Sequence, residues 1–463
     1  SGKQVKMRAK VDARLFSGNL EVVTATIRGS SKPDEEIFLI AHLCHPKPSA
    51  NDNASGSGLL LEIARTIVTL IDKNRLKRPS RTVRFIWVPE TFGSVAYLSR
   101  HEDASRRLIA GINLDMVGQD QDLCRSTLNL DRTPDSLPSY LNDYVFSLIE
   151  KSIKEFDQSS AFGSSSTFRY ATGAFSGGSD HAEFTNSTIG VPCIMLLQWP
   201  DLFYHTSADT IDKVSANSLK RVGWIATVAT LTLANANEEE ACLLAVQTAS
   251  RGLARIEEVV RIASDELIEK KDDSNLKDEF GHQAKELVAT MDHYRNKIDH
   301  ITWREQQATR SVKRLGDSPE LQAILDKCCL DIVDSGRRAS LRLEEMMSMV
   351  AIASGLAPTE AVVDKNVELK KLVPQKLFKG TLSFESLKEG LGEKEFEWYL
   401  DIDDKDAEFS KKAYEILNFM NGKRNLHEIQ GAVSAEYSDT DPELVLRFVR
   451  DLEKLKLVSL KQA

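Results

Sequence analysis

Short apolar runs recur through the first half of the chain, at 20–27, 37–41, 83–88, 111–114 and 191–197. Several are apolar at every position, the pattern of strands buried on both faces in the sheets of α/β domains. Between them, 59–71 and 95–100 carry apolar residues at helical spacing, and 219–236 reads as a closing helix. Residues 1–238 therefore predict an α/β domain, a mixed central sheet flanked by helices. After 238 the strand pattern stops. Three long polar-rich stretches, 239–271, 276–315 and 319–353, follow with breaks at 272–275 and 316–319. Helices far longer than the usual 11–12 or so residues pack on one another, so 239–357 predicts an all-α bundle or arm. Beyond Pro358 the pattern predicts short strands at 377–384 and 398–402. Helices at 411–420, 425–435 and 442–455 and a strand at 457–460 then outline a small α+β module over 358–463, winged-helix-like in its order.

Composition narrows the function more than the fold. Hydrophobic residues are 41% and charged residues 28%, with 24 Gly and 13 Pro, which excludes collagen-like and wholly disordered chains. No apolar run approaches the roughly 18 residues of a membrane-spanning helix, so no membrane partner is expected. With 60 Lys+Arg against 69 Asp+Glu, the net charge of −9 provides no broad positive field for a phosphate backbone. Over 411–463 nine Lys/Arg face eight Asp/Glu, so the winged-helix outline predicts protein contacts rather than nucleic acid. The six cysteines form no CxxC pair, which predicts free thiols in a reducing compartment, the cytoplasm being favoured. The chain opens on Ser-Gly and runs into strand-like sequence, and its natural N-terminus is expected to be missing. Self-association through the arm is a further expectation.

The chemistry lies at the strand ends, where open α/β sheets place their ligand crevice. The strand at 37–41 runs into His42-Leu43-Cys44-His45-Pro46 and then Ala50-Asn51-Asp52-Asn53-Ala54-Ser55-Gly56. The next delivers Pro89-Glu90-Thr91-Phe92-Gly93-Ser94, the next Asn113-Leu114-Asp115-Met116-Val117-Gly118, and the last Tyr204-His205-Thr206. Taken singly, such a histidine is commonly structural and such an aspartate an N-cap. Two or three histidines with two or three carboxylates at one sheet end are the donors that zinc and similar divalent ions take, and four strand ends agree.

These motifs, with Gly178-Ser179-Asp180-His181-Ala182-Glu183-Phe184, resemble in order those of the co-catalytic zinc exopeptidases, the family of aminopeptidase Y, leucyl aminopeptidases, glutamate carboxypeptidase and glutaminyl cyclases. The wording His-Pro followed by Ala-Asn-Asp-Asn is most similar to an aminopeptidase-like branch that ends in a winged-helix-type domain. The resemblance spans residues 20–236. It implies two divalent ions, zinc with cobalt or manganese as alternatives, bridged by Asp52, with Asp115 at one ion and His205 at the other. It also implies a histidine ligand after the first core strand, for which His42 and His45 both stand as candidates because Cys44 replaces the usual aspartate of His-x-Asp. The family has two adjacent glutamates, a general base and a metal ligand, where this chain has Glu90 and Thr91; Glu90 is taken as the base, with the ligand as its alternative role. Asp180 resembles an acid that supports the ligands, His181 stands beside it near the substrate pocket, and Trp199, Phe203 and Tyr204 could line that pocket. The implied reaction is aminopeptidase hydrolysis of peptides through a metal-activated water. The alternatives are a glutaminyl-cyclase-like acyltransferase and a lapsed enzyme serving as an interaction scaffold.

Overall fold

The five residues at 37–41 are fully buried and alternate between two apolar layers. Ile37, Leu39 and Ala41 face one core, and Phe38 and Ile40 face the other. In the computed structural model, which describes residues 6–156, 167–272, 280–353 and 367–462, they belong to an inner strand of a seven-stranded mixed sheet. The strands are β1 (Val23–Ile27), β2 (Lys32–His42), β3 (Arg81–Val88), β4 (Leu108–Leu114), β5 (Thr127–Asp131), β6 (Tyr170–Gly173) and β7 (Cys193–Trp199). Their order is β1-β3-β2-β4-β7-β5-β6. β3, β2, β4 and β7 run parallel, β1 is antiparallel to β3, and β5 is antiparallel to β7. The four parallel strands thus deliver their C-terminal ends to one edge, where a crevice forms.

The helices Gly56–Asp72, Tyr140–Phe156 and Ala216–Asn235 cover one face through Leu60, Ile63, Ile67, Val145, Ile149, Ile225 and Leu233. On the other, Tyr97, Leu98 and Phe184 pack on Phe38, Ile40, Ile86 and Val88. Burying each such side chain contributes about 1.5–3 kcal/mol, which makes these layers the main source of the sheet's stability. The stretch Ala50–Asp72 is apolar and long enough to cross a membrane by length and composition alone. Here one side of it is packed on the sheet. β5, β6 and the helix Tyr140–Phe156 were not expected from the sequence; β5 alternates polar and apolar residues and lacks the continuous apolar run that marks β2 and β4.

The long helices Glu238–Asp272, Phe280–Arg310 and Pro319–Ala353 pack on one another around Ile256, Leu267, Ile298, Ile332 and Leu343. Their basal residues Ala241, Leu244, Val312, Leu315, Leu321 and Leu325 enter the core of the sheet itself.

In the C-terminal module, β8 (Leu372–Lys376) and β9 (Val458–Gln462) pair antiparallel. The helices Phe409–Phe419, Leu426–Glu436 and Pro442–Lys454 bury Ile416, Leu426, Val445 and Phe448. Two expectations are corrected here. The strand expected at 377–384 is displaced to β8, and Phe384 opens the helix Phe384–Leu391. The strand expected at 398–402 lies inside the helix Glu393–Lys405, whose buried Phe396 and Tyr399 are three apart, a helical spacing. The turn expected at 272–275, beyond its first residue, and the boundary at 357–358 lie outside the described residues.

Candidate metal centre

β2 ends at His42, a buried imidazole whose carbonyl accepts the Ser57 hydroxyl at 2.8 Å. The chain then turns through Cys44 and His45 into the buried segment Ala50–Ser55. Asp52 is presented from that segment by Asp209, whose two carboxylate oxygens accept the backbone N–H groups of Asn51 at 2.8 Å and Asp52 at 3.0 Å. Asn53 ties the segment to the end of β4, donating to the Leu114 carbonyl at 2.9 Å and accepting the Met116 N–H at 3.0 Å. Gly56 permits this approach, because a Cβ there would lie 2.1 Å from the Leu114 oxygen.

Four strand ends converge on Asp52. His42 Nε2 lies 3.4 Å from Asp52 Oδ1 and 3.1 Å from Asp115 Oδ1. His45 Nε2 lies 3.3 Å from Asp52 Oδ1, and His205 Nε2 lies 3.0 Å from Asp52 Oδ2. The sequence left His42 and His45 as alternatives for one ligand position; the structure brings both to the same oxygen of Asp52. Glu90 reaches between them, 3.9 Å from His42 Nε2 and 3.8 Å from His45 Nε2. Cys44, standing where an orienting acid was expected, lies 3.6 Å from His42 Nδ1 and accepts the Glu90 N–H at 3.4 Å.

The remaining expected residues surround this cluster. Tyr204 stacks on His205 with ring centroids 3.7 Å apart, and Trp199 meets Tyr204 edge-on at 5.1 Å. Asp180 is fully buried and accepts the Thr91 N–H at 2.9 Å and the Ser94 hydroxyl at 2.6 Å, which fixes the turn that carries Glu90. Thr91 itself has φ of 59°, a left-handed backbone. His181 is turned away from the cluster toward Asp131, with Nε2 2.9 Å from the carboxylate. Asp209 was not singled out from the sequence; its signal is its place four residues after His205.

The electrostatics of the cluster call for positive charge. Burial works against protonation of His42, yet its hydrogen bond to Asp115 and the charges of Asp115, Glu90 and Asp52 outweigh burial and push it up to about 10. Burial and the Asp115 charge raise Asp52. Burial holds Asp115 up, but the His42 hydrogen bond and charge bring it below the ordinary carboxylate value. Glu90 is pushed up to about 7 by burial first and by its carboxylate neighbours, with His42 opposing.

Two donor triads fit divalent ions. The donor atoms of His42, Asp52 and Asp115 all lie within 4.8 Å of one another, as do those of His45, Asp52 and His205. Imidazole nitrogen with carboxylate oxygen is the donor chemistry of zinc, and one carboxylate common to both triads keeps the two positions adjacent. A cavity of about 390 Å³ opens beside His45, Asp52 and His205, walled by Pro46, Pro48 and Thr206.

Residues 22–230 match the model of peptidase family M28. Over 211 residues the chain is 30% identical to a putative polysaccharide biosynthesis protein with an aminopeptidase-like domain from Clostridium acetobutylicum, covering 45% of this chain and 42% of that protein. Over 243 residues it is 28% identical to aminopeptidase NAALADL1 of Rattus norvegicus, covering 46% and 30%. Among solved structures, BSAP, a zinc aminopeptidase from Bacillus subtilis, aligns with a TM-score of 0.37 at 23% identity over 47% of this chain and 51% of that one. The chain spans less than half the length of the curated relatives it matches.

Proposed function

We propose that residues 22–230, which match the model of peptidase family M28, form a metal-dependent aminopeptidase that removes residues from the free N-terminal end of peptides. The observation that carries the reading is the placement of Glu90: its two oxygens lie 3.9 and 3.8 Å from His42 and His45, one from each triad, and both triads share Asp52. His42, Asp52 and Asp115 would hold one ion, and His45, Asp52 and His205 the other. Divalent ions bound there supply Lewis acidity, polarising the scissile carbonyl and lowering the pKa of water toward about 7.

The protein's own groups do the rest. Glu90 accepts the proton of the attacking water on a carboxylate oxygen and returns it to the amine that leaves. Asp209 fixes the backbone that presents Asp52, and Asp180 fixes the turn that presents Glu90. The cavity beside His205, lined by Pro46, Pro48 and Thr206 rather than by the expected Trp199, Phe203 and Tyr204, has room for the side chain of the residue removed.

The test is incubation of the zinc-loaded protein with peptides whose N-terminus is free or acetylated. Stepwise release of residues from the free peptide alone is expected. Cyclisation of Gln-initiated peptides without hydrolysis, or cleavage of both peptides alike, would overturn the assignment.

A further inference from the structure

The turn that carries Glu90 is held by a loop tied to two partners: within the sheet domain Ser176 donates its N–H and its hydroxyl to Asp131 at 2.8 and 2.7 Å, and the C-terminal module holds the loop from outside. That loop runs through Phe175, Ser176, Gly177, Gly178, Ser179 and Asp180. Gly177 and Gly178 take left-handed backbone at φ of 66° and 78°, and nothing lies within 4 Å of the position a Gly178 side chain would fill. Immediately after the two glycines come the residues that touch the metal centre. The Ser179 hydroxyl accepts from Asn113 at 2.8 Å and hydrogen-bonds Asp115, and Asp180 holds Thr91 and Ser94.

The C-terminal module grips this loop on both sides of its glycines. Before them, the Tyr437 hydroxyl donates to the Phe175 carbonyl at 2.8 Å, and the Tyr414 ring stacks on Phe175 at 4.9 Å. After them, the Tyr414 hydroxyl donates to the Ala182 carbonyl at 2.6 Å, and Asn418 accepts the Ser187 N–H at 3.0 Å. Both tyrosines lie more than 220 residues from the loop they hold.

We propose that the C-terminal module is a positioning element for the hydrolysis: Tyr414 and Tyr437 clamp the glycine loop, the loop fixes Ser179 and Asp180, and these set Asp115 and the Glu90 turn. Neither tyrosine is a catalytic residue. The inference rests on the reading of Glu90 as general base, and it has a readout that does not. Misplacement of a reacting group by about 1 Å can cost 10²-fold, so a loosened clamp is expected to appear in turnover before it appears in binding.

Tyr414→Phe and Tyr437→Phe each remove one hydroxyl and keep the ring, and Lys454→Ala, which breaks an exposed pair with Glu395, serves as the control. Each variant is read by metal content, by steady-state kinetics and by hydrogen exchange across the whole chain. The expected result for the double tyrosine variant is an unchanged metal content, kcat lower by about tenfold with KM unchanged, and faster exchange confined to 91–94 and 175–185, while Lys454→Ala matches the parent. Unchanged exchange at 91–94 in the double variant overturns the clamp, whatever the activity. Exchange that rises there in a protein without peptidase activity supports the clamp and removes the hydrolase reading. A loss of protection that spreads through 442–454 overturns it in favour of a role in the module's own folding.

Discussion

His45 Nε2 lies 3.3 Å from Asp52 Oδ1, on a carboxylate whose other oxygen meets His205 at 3.0 Å. His45 therefore supplies a donor to the triad for which Thr91, at the position of a second glutamate, has no carboxylate. The consequence is an asymmetry of charge: the triad of His42, Asp52 and Asp115 contains two carboxylates, and that of His45, Asp52 and His205 contains one. Fewer anionic ligands hold a divalent ion less tightly. Two zinc ions per chain are expected, one of them lost first on mild chelation. His45→Ala should retain about one, Thr91→Glu should tighten the weaker position, and Asp52→Ala should retain neither. Elemental analysis after gel filtration decides the matter, and two ions in His45→Ala would remove it from the centre.

What could be read from the sequence was the set of strand ends. Ile37, Leu39 and their neighbours announce a strand buried on both faces, and whatever follows such a strand in an open sheet faces the crevice. His42, Glu90, Asp115 and His205 are found that way. That His42 and His45 both face Asp52 depends on side-chain directions through the turn that follows β2, which no periodicity encodes. Asp209 was hidden for a different reason, because it works on backbone N–H groups of a segment 157 residues away. The Glu393–Lys405 helix was misread because Trp398, Tyr399 and Ile402 look strand-like in a five-residue window, whereas the pair Phe396 and Tyr399 shows its period only over a longer one.

Glu90→Gln separates base from ligand. The amide cannot accept the water proton, so kcat is expected to fall by about 10²–10⁴-fold while both ions stay. The pH profile carries a second signature. The general base must be ionised to act, so activity rises with pH through the Glu90 titration, which burial places at about 7 without ions. Bound cations favour the carboxylate and move that limb lower. A kcat profile with an acidic limb at or below about pH 7, absent from the residual activity of Glu90→Gln, is the expected outcome; loss of an ion in that variant would make Glu90 a ligand.

Glu436 makes the docking of the C-terminal module sensitive to alkali. Its side chain is half-buried with Oε2 out of contact with solvent, beside Glu415, to which it hydrogen-bonds, and beside Asp135, whose N–H it accepts at 3.1 Å; Asp135 is in turn held by His300 at 2.9 Å and Arg304 at 3.3 Å. Burial first, then the Asp135 and Glu415 charges, raise Glu436 well above the ordinary carboxyl value. The native state thus keeps a proton that the unfolded chain releases near pH 4.3 or so, and stability falls as pH rises from there toward the folded value. Glu436→Gln needs no proton. Its gain in thermal stability over the parent should be larger at pH 8 than at pH 5, and equal gains at the two pH values would contradict the argument.

Arg81 decides how much of the chain the sheet requires. Its guanidinium is fully buried, pairs with Glu35 at 2.6 Å, and donates to the carbonyls of Leu233 at 3.2 Å, Ala236 at 2.7 Å and Leu315 at 2.7 Å. The last of these belongs to the helical arm. The sequence suggested an arm appended to a finished sheet domain, since the site motifs end at His205 and a closing helix precedes the arm. The structure instead sends Ala241, Leu244, Val312, Leu315, Leu321 and Leu325 into the core shared with Ile67, Tyr140 and Leu233. A chain ending at Asn237 would expose that apolar surface and take one carbonyl from a buried cation, and a hydrogen bond to a charged group is worth about 1.5–3 kcal/mol. Such a chain is expected to be insoluble, whereas one ending after the arm at 353 should keep the sheet's core covered. Far-UV circular dichroism and gel filtration of the two truncations check this, and a soluble, cooperatively melting 1–237 fragment would show that the arm is an accessory after all.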